Sequence, residues 1–262
     1  MNTNSVSMSF GKFAHTKFPK FFQCFLNKMY VKIFDIDMTL FEEENPCNFE
    51  TLNQLFIRKK KDIEFHEDED VLCSPSDGLI TEYGDIEENK AYQIKGKSYS
   101  ISELIPNSKL DKGFFVNIYL SPKDYHRYHV PIDMEVLSAT HIPGALYPVN
   151  MPSLNKRDNL FIKNERVVLR CKDKKDRIFY YVAVGALNVG SMVFNFDERI
   201  KTNISNSKMT TFEYDNLFLK KGQELGRFEM GSTILLFFGD EHFKYLNRKD
   251  DVEVGDILGE IY

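Results

Sequence analysis

The sequence predicts a fold of the α+β class that is predominantly β, with N-terminal amphipathic helices over 1–64 and a β-rich, barrel-sandwich-like body over 65–262. Three observations lead there. Apolar residues as far as Phe56 recur at spacings of three and four, the period of a helix face. From Val71 onward the chain turns to alternating or β-branched runs separated by Gly, Pro, Asn and Asp, the texture of strands and turns. Near the end, KGQELGRF at 221–228 and VGDILGEI at 254–261 align at an offset of 33 in the form G-x-x-L-G-x-[FI], which suggests paired β-hairpin units.

The first element is set by Phe18, Phe21, Phe22, Phe25, Leu26, Met29, Tyr30 and Ile33, which share one helical face with Lys17, Lys20, Lys28 and Lys32 at its margins. Such a face either packs on a core or lies in the interface of an anionic membrane. Residues 1–34 hold five lysines and no acid, so the net charge of -5 divides into +5 on this leader and -10 on the rest. A signal peptide is disfavoured, because Lys12, Lys17, Pro19 and Lys20 interrupt the apolar stretch. No run of about 18 apolar residues is available for a membrane-spanning helix. The next element is a short helix within 48–61, where Phe49, Leu52, Leu55 and Phe56 fall at helical spacing. It closes on the run Arg58 to Lys61, too short to argue for nucleic acid and expected at a solvated or headgroup-facing edge.

Strands are expected at 114–120, 167–171, 179–184 and 233–238. With 262 residues, 42% of them hydrophobic, the chain has enough apolar surface to fold without disulfides. Cys24, Cys47, Cys73 and Cys171 form no C-x-x-C pair and no zinc-finger spacing, so they read as reduced thiols, and no metal is expected.

Four polar clusters interrupt this pattern. SPSDG at 74–78 is a turn by composition. SPKDYHRYHVP at 121–131 places His126 and His129 three apart with Arg127 between them, which offers an acid and a base near neutrality, or else a surface loop or metal pair. The metal reading lacks a third ligand cluster. GALYPVN, LFIKNERV and VAVGALNVGS bring glycines and Asn150, Asn164 and Asn188 into strand-like sequence, where the asparagines brace a site or sit in turns. Last, FEMGST at 228–233 precedes an apolar strand without the G-x-S-x-G elbow of serine hydrolases. There, attack of the Ser232 hydroxyl on the Gly231 carbonyl gives an ester. Elimination across Cα and Cβ of residue 232 then leaves a dehydroalanine that hydrolyses to an N-terminal pyruvoyl group. Glycine offers that attack little steric hindrance, and each step needs a base and oxyanion donors.

Read together and in order, SPSDG, LSPKDYHRYHVP, GALYPVN, LFIKNERV, VAVGALNVGS and KKGQELGRFEMGST resemble the phosphatidylserine decarboxylase family, pyruvoyl-dependent proenzymes of bacterial membranes, from about Leu52 to Ile261. By motif position the resemblance implies Asp77, His129 and Ser232 as the self-cleavage triad and His126 as a group of substrate turnover, a proton donor or carboxylate handler. It also implies a cut between Gly231 and Ser232 into chains 1–231 and 232–262, and a homodimer. The covalent pyruvoyl cofactor made from Ser232 forms a Schiff base with phosphatidylserine, releasing CO2 and phosphatidylethanolamine. Ser76 stands where the family commonly has Ala, and Met230 where it has Leu or Phe; neither change removes a reacting group. With a lipid substrate, the leader reads as docking peripherally at the cytoplasmic face of the membrane. A serine hydrolase or a noncatalytic barrel-sandwich binding module is the alternative, and either would keep an intact chain.

Overall fold

The computed structural model describes residues 3–262 apart from 95, 188–190, 205, 230–231 and 240–242, and it leaves out the side chains of 3–6, 8 and 232. The chain opens with helices α1 (Thr3–His15) and α2 (Lys20–Ile33). Pro19 stands just ahead of α2, where its missing N–H costs no hydrogen bond. Two single 3-10 turns follow, each started by an Asx side chain that accepts a backbone N–H, Asp37 from Thr39 and Asn45 from Cys47. Helix α3 (Leu52–Phe56) is capped by the Thr51 hydroxyl on the Gln54 N–H.

The helix expected within 48–61 is therefore short, because 58–61 leaves it in extended form. Lys60 bridges Phe41, while Lys61 N–H donates to Leu40 O and Glu42 N–H to Lys59 O. Only part of the basic run meets solvent: Arg58 is 2% exposed.

Helix α2 turns its polar side inward. Gln23 and Asn27 are buried, Gln23 Nε2 donates to Asn27 Oδ1, and Asn27 Nδ2 donates to the carbonyls of Pro46 and Phe49. The apolar side faces out, with Phe21 at 80%, Phe25 at 59% and Ile33 at 64% exposure. The same packing sets the Cα atoms of Cys24 and Cys47 4.2 Å apart, and the two are joined as a disulfide. The expectation of four reduced thiols is thus corrected for this pair, whose contact is made by tertiary packing across 23 residues of sequence; Cys73 and Cys171 are free and buried.

The body begins with β1 (Val71–Cys73), β2 (Gly78–Ile86), β3 (Lys90–Ile94) and β4 (Lys97–Ser100), followed by α4 (Ile101–Leu104), β5 (Gly113–Leu120) and β6 (Arg127–His129). Then come β7 (Met134–Ile142), α5 (Met151–Lys156), α6 (Leu160–Lys163), β8 (Arg166–Lys172), β9 (Ile178–Gly185) and β10 (Ser191–Phe194). The last elements are β11 (Thr210–Glu213), β12 (Phe218–Leu219), β13 (Glu224–Glu229), β14 (Ser232–Phe238), β15 (Phe243–Tyr245), β16 (Asp251–Val252) and β17 (Ile257–Ile261).

The main antiparallel sheet runs β11-β7-β8-β9-β14-β5-β2-β16, with β12 also on β7. Its central strands are buried on both faces: Ile234, Leu236 and Phe238 join one apolar cluster and Leu235 and Phe237 the other, the period-two alternation of a strand. The sheets are mostly open and antiparallel, and the described residues form no closed barrel.

The weak sequence repeat belongs to a structural repeat that takes in most strands of the body, β3, β4 and β11 excepted. Strands β13 and β17 are each the centre of a three-stranded sheet, flanked by β6 and β10 or by β1 and β15. Each is preceded by a glycine with positive φ, Gly222 at 82° and Gly255 at 92°, whose N–H donates to Val130 O or Ser74 O. The flanking strands are tied crosswise, His129 N–H to Pro75 O and Cys73 N–H to Pro131 O. Strand β2 corresponds to β7, both nine residues long with a bulge at the same place, between Ile80 and Glu82 or between Val136 and Ser138. Strands β5 and β8, β14 and β9, and β16 and β12 correspond likewise by their partners and register. One half consists of 71–120 with 232–261, and the other, 127–229, lies between those two pieces of sequence. The halves meet at the ladder of β9 with β14.

Candidate active site

The site is built on the loop between β5 and β6. Pro122 sits at the second position of a turn in which Asp124 N–H donates to Ser121 O and Ser121 N–H to Asp124 Oδ2. Burial pushes the Asp124 carboxyl up from its ordinary pKa. Arg58 fastens the loop from outside, donating to the carbonyls of Lys123 and Asp124, and Arg127 Nε donates to Ile57 O. Arg127 also pairs with Glu224, its Nη1 donating to both carboxylate oxygens at 2.9 and 3.0 Å.

His129 closes β6. Its Nδ1 lies 2.8 Å from Gly222 O and its Nε2 3.0 Å from the Tyr125 hydroxyl. A carbonyl only accepts, so Nδ1 carries the proton and Nε2 presents its lone pair to the tyrosine. Burial pushes the imidazole pKa down, which keeps the ring neutral at pH 7. This is the state of a general base. His126 is fully buried, with Nδ1 2.8 Å from Asp124 O and its ring 3.9 Å from that of Phe56. Its Nε2 has no partner among the described residues, and burial lowers its pKa to about 3.

Asp77 stands beside these groups, because the backbone bond from His129 to Pro75 joins the two loops. Its Oδ1 accepts from Val254 N–H at 2.9 Å, and both oxygens accept from Lys60 Nζ at 3.0 and 3.1 Å. With the His129 nitrogens held by Gly222 and Tyr125, the aspartate and histidine do not bond each other; the Gly222 carbonyl orients the ring.

Gly231 and the Ser232 side chain lie outside the described residues, as does Asn188. The backbone of Ser232 opens β14, paired with Leu120 on one side and Gly185 on the other. On the upstream side of the proposed cut, Phe228 N–H donates to His126 O. Both flanks of 230–231 are thus tied to the loop that carries the histidines. Asn164 is buried and donates to Gly185 O and Tyr147 O, so it braces the strand beside Ser232, whereas Asn150 caps α5 through Ser153 N–H. The Oγ1 of Thr233, 1% exposed, has no partner among the described residues.

The family model described as phosphatidylserine decarboxylase matches residues 52–260. The chain belongs to the phosphatidylserine decarboxylase family. It is 47% identical over 264 residues to the phosphatidylserine decarboxylase proenzyme of Helicobacter pylori strain J99, covering 99% of this chain and 98% of that one. It is 50% identical over 239 residues to the proenzyme of the same name from Campylobacter jejuni, 88% of each chain. The counterpart in Legionella pneumophila strain Lens is 37% identical over 240 residues, 88% of this chain and 83% of that one.

As a member of the phosphatidylserine decarboxylase family, the chain also brings to this loop groups to which the sequence alone assigned no role there. Lys60, Arg58 and Phe56 come from the N-terminal segment, and the Gly222 carbonyl and Tyr125 hydroxyl carry no compositional mark. The spacing Tyr125 to His129 was the one available signal.

An apolar groove of about 350 Å³ opens next to the loop that carries the histidines, lined among others by Phe13, Met29, Ile33, Phe56, Pro122 and Leu187. Among the described residues no helix is long and apolar enough to cross a membrane.

Proposed function

We propose that the chain is a self-processing phosphatidylserine decarboxylase that cuts itself between Gly231 and Ser232 and works as a peripheral protein on the cytoplasmic face of a membrane. The observation that carries this reading is a neutral His129, with Nε2 as a lone pair, on the loop to which both flanks of the scissile segment are tied. His129 takes the proton of the Ser232 hydroxyl as the oxygen attacks the Gly231 carbonyl carbon. The peptide C–N bond breaks, the nitrogen takes up a proton, and an ester remains. Loss of the α-proton of residue 232 expels the Gly231 carboxylate and leaves a dehydroalanine, which takes up water and releases ammonia to give the pyruvoyl group. Asp77 serves this step beside His129.

The residues present fit such a group. Residue 232 begins a strand held on both sides, and the adjacent Thr233 Oγ1 is a buried polar atom without a partner among the described residues, as is His126 Nε2 on the loop. The pyruvoyl group supplies a carbonyl that takes the amine of phosphatidylserine and receives the electrons left when CO2 departs. Replacing the departing carboxylate by hydrogen consumes one proton, which the neutral ring of His126 takes up from solvent and passes to the product carbon. Its buried ring holds a proton weakly, so once protonated it is a strong acid toward that carbon. The outward apolar face of α2 and the adjoining groove support the docking of 1–64 on a lipid surface, where the acyl chains of the substrate already lie. The homodimer rests on the resemblance alone.

Denaturing mass spectrometry of the purified protein tests the reading. The expected result is two chains, one beginning with a pyruvoyl group, with Ser232→Ala and His129→Ala uncut; a wild-type chain that stays whole at 262 residues overturns it. Incubation of the processed protein with phosphatidylserine vesicles should release CO2 and phosphatidylethanolamine.

A further inference from the structure

We propose that Lys60 is a positioning residue of the self-cleavage site, fixing the Asp77 carboxylate against the loop that carries His129. This rests on the self-cleavage reading above. Lys60 Nζ reaches both Asp77 oxygens and, at 2.7 Å, Glu253 Oε2, with its side chain only 9% exposed. Burial works to lower the Lys60 pKa, but Asp77 and Glu253 outweigh it, so the ammonium is held more firmly than a free one. The pair is not an accident of a flexible surface. The backbone of 59–61 is clamped to 40–42, and the Arg58 guanidinium lies over the Phe41 ring at 4.1 Å while its Nη2 donates to Lys123 O.

The repeat within the body supplies an internal control. Asp133 is the counterpart of Asp77: its Oδ1 accepts the Lys221 N–H at 2.8 Å, as Asp77 Oδ1 accepts the Val254 N–H at 2.9 Å. The scaffold therefore gives both aspartates a main-chain donor. What surrounds them beyond that differs. The ammonium groups of Lys220 and Lys174 near Asp133 belong to side chains 77% and 42% exposed, and the residue that stands to Asp133 as His129 stands to Asp77 is Cys73. Of the two, Asp77 alone receives a lysine whose side chain is largely shielded from solvent, and that lysine comes from outside the repeated strands. Burying an ion pair brings little net stability. A lysine delivered from the N-terminal segment to the one aspartate that faces a base is explained by orientation of that carboxylate.

The test follows cleavage of full-length protein made by cell-free synthesis, sampled over time on denaturing gels, with thermal melting of each purified product as the folding control. Lys60→Met should slow cleavage by about tenfold or more, and Lys60→Arg, which keeps the cation, should recover most of the rate. Should Lys60→Met fail to melt cooperatively, Lys60→Gln replaces it with the same expectation. A folded Lys60→Met or Lys60→Gln chain that cuts itself at the wild-type rate overturns the assignment, as does a Lys60→Arg chain no faster than it. Wild-type protein that is never cut overturns the self-cleavage reading instead, so the two failures are distinct.

Discussion

A histidine kept without its proton at neutral pH is a base in waiting, and the two histidines of the site are both kept so, chiefly by burial. That has a cost in acid. In the folded chain His126 binds its proton only near pH 3, whereas an unfolded chain binds it near the ordinary value of 6.5. Between those values the unfolded state holds more protons, so stability falls as pH falls, by about 1.4 kcal/mol per pH unit for one such group. In the uncut Ser232→Ala protein, the urea midpoint should drop between about pH 6 and pH 4.5, and adding His126→Gln should flatten that slope. Equal slopes would show that His126 is not held neutral. The positions of His126 and His129 were legible in the sequence because both lie in one contiguous run. Lys60 was not, because its partners Asp77 and Glu253 are 17 and 193 residues away and only the folded chain joins them.

At the scale of elements, the strands at 114–120, 167–171, 179–184 and 233–238 were legible almost to the residue. They are buried on both faces, so their apolar runs have no competing helical period. Helix α2 was legible as a helix, but the direction of its apolar face was not: periodicity reports that a face exists, and Asn27 with its two carbonyl acceptors decides which side the protein keeps. Losing those bonds in Asn27→Ala should lower stability in urea by about 1–3 kcal/mol. Replacing exposed Phe21 and Phe25 together by Ser should change it by no more than about 0.5 kcal/mol, while flotation with anionic vesicles should fall sharply. Vesicle binding equal to wild type in that double variant would remove α2 from the docking surface.

At the scale of the molecule, the sequence showed the repeat only in its last strands, where the glycines are indispensable. A Cβ on Gly226 would lie 2.0 Å from Val193 O, and one on Gly259 2.4 Å from Lys244 O. Elsewhere the two halves keep pairing and bulges without keeping residues, and such likeness is visible only in register. The small chain 232–262 would supply β14 at the middle of the main sheet and β17 at the middle of another. After cleavage the two chains should therefore coelute in size-exclusion chromatography without denaturant and separate in strong guanidinium; a free small chain under native conditions would contradict this. The nesting of one half inside the other also says something about where a chain tolerates being cut. The chain leaves the outer half after Leu120 and returns to it at Ser232, and those two residues are ladder partners. A break at the return point would untie one knot of a loop whose two ends already lie side by side, so the proposed cut falls where the architecture has least use for the bond.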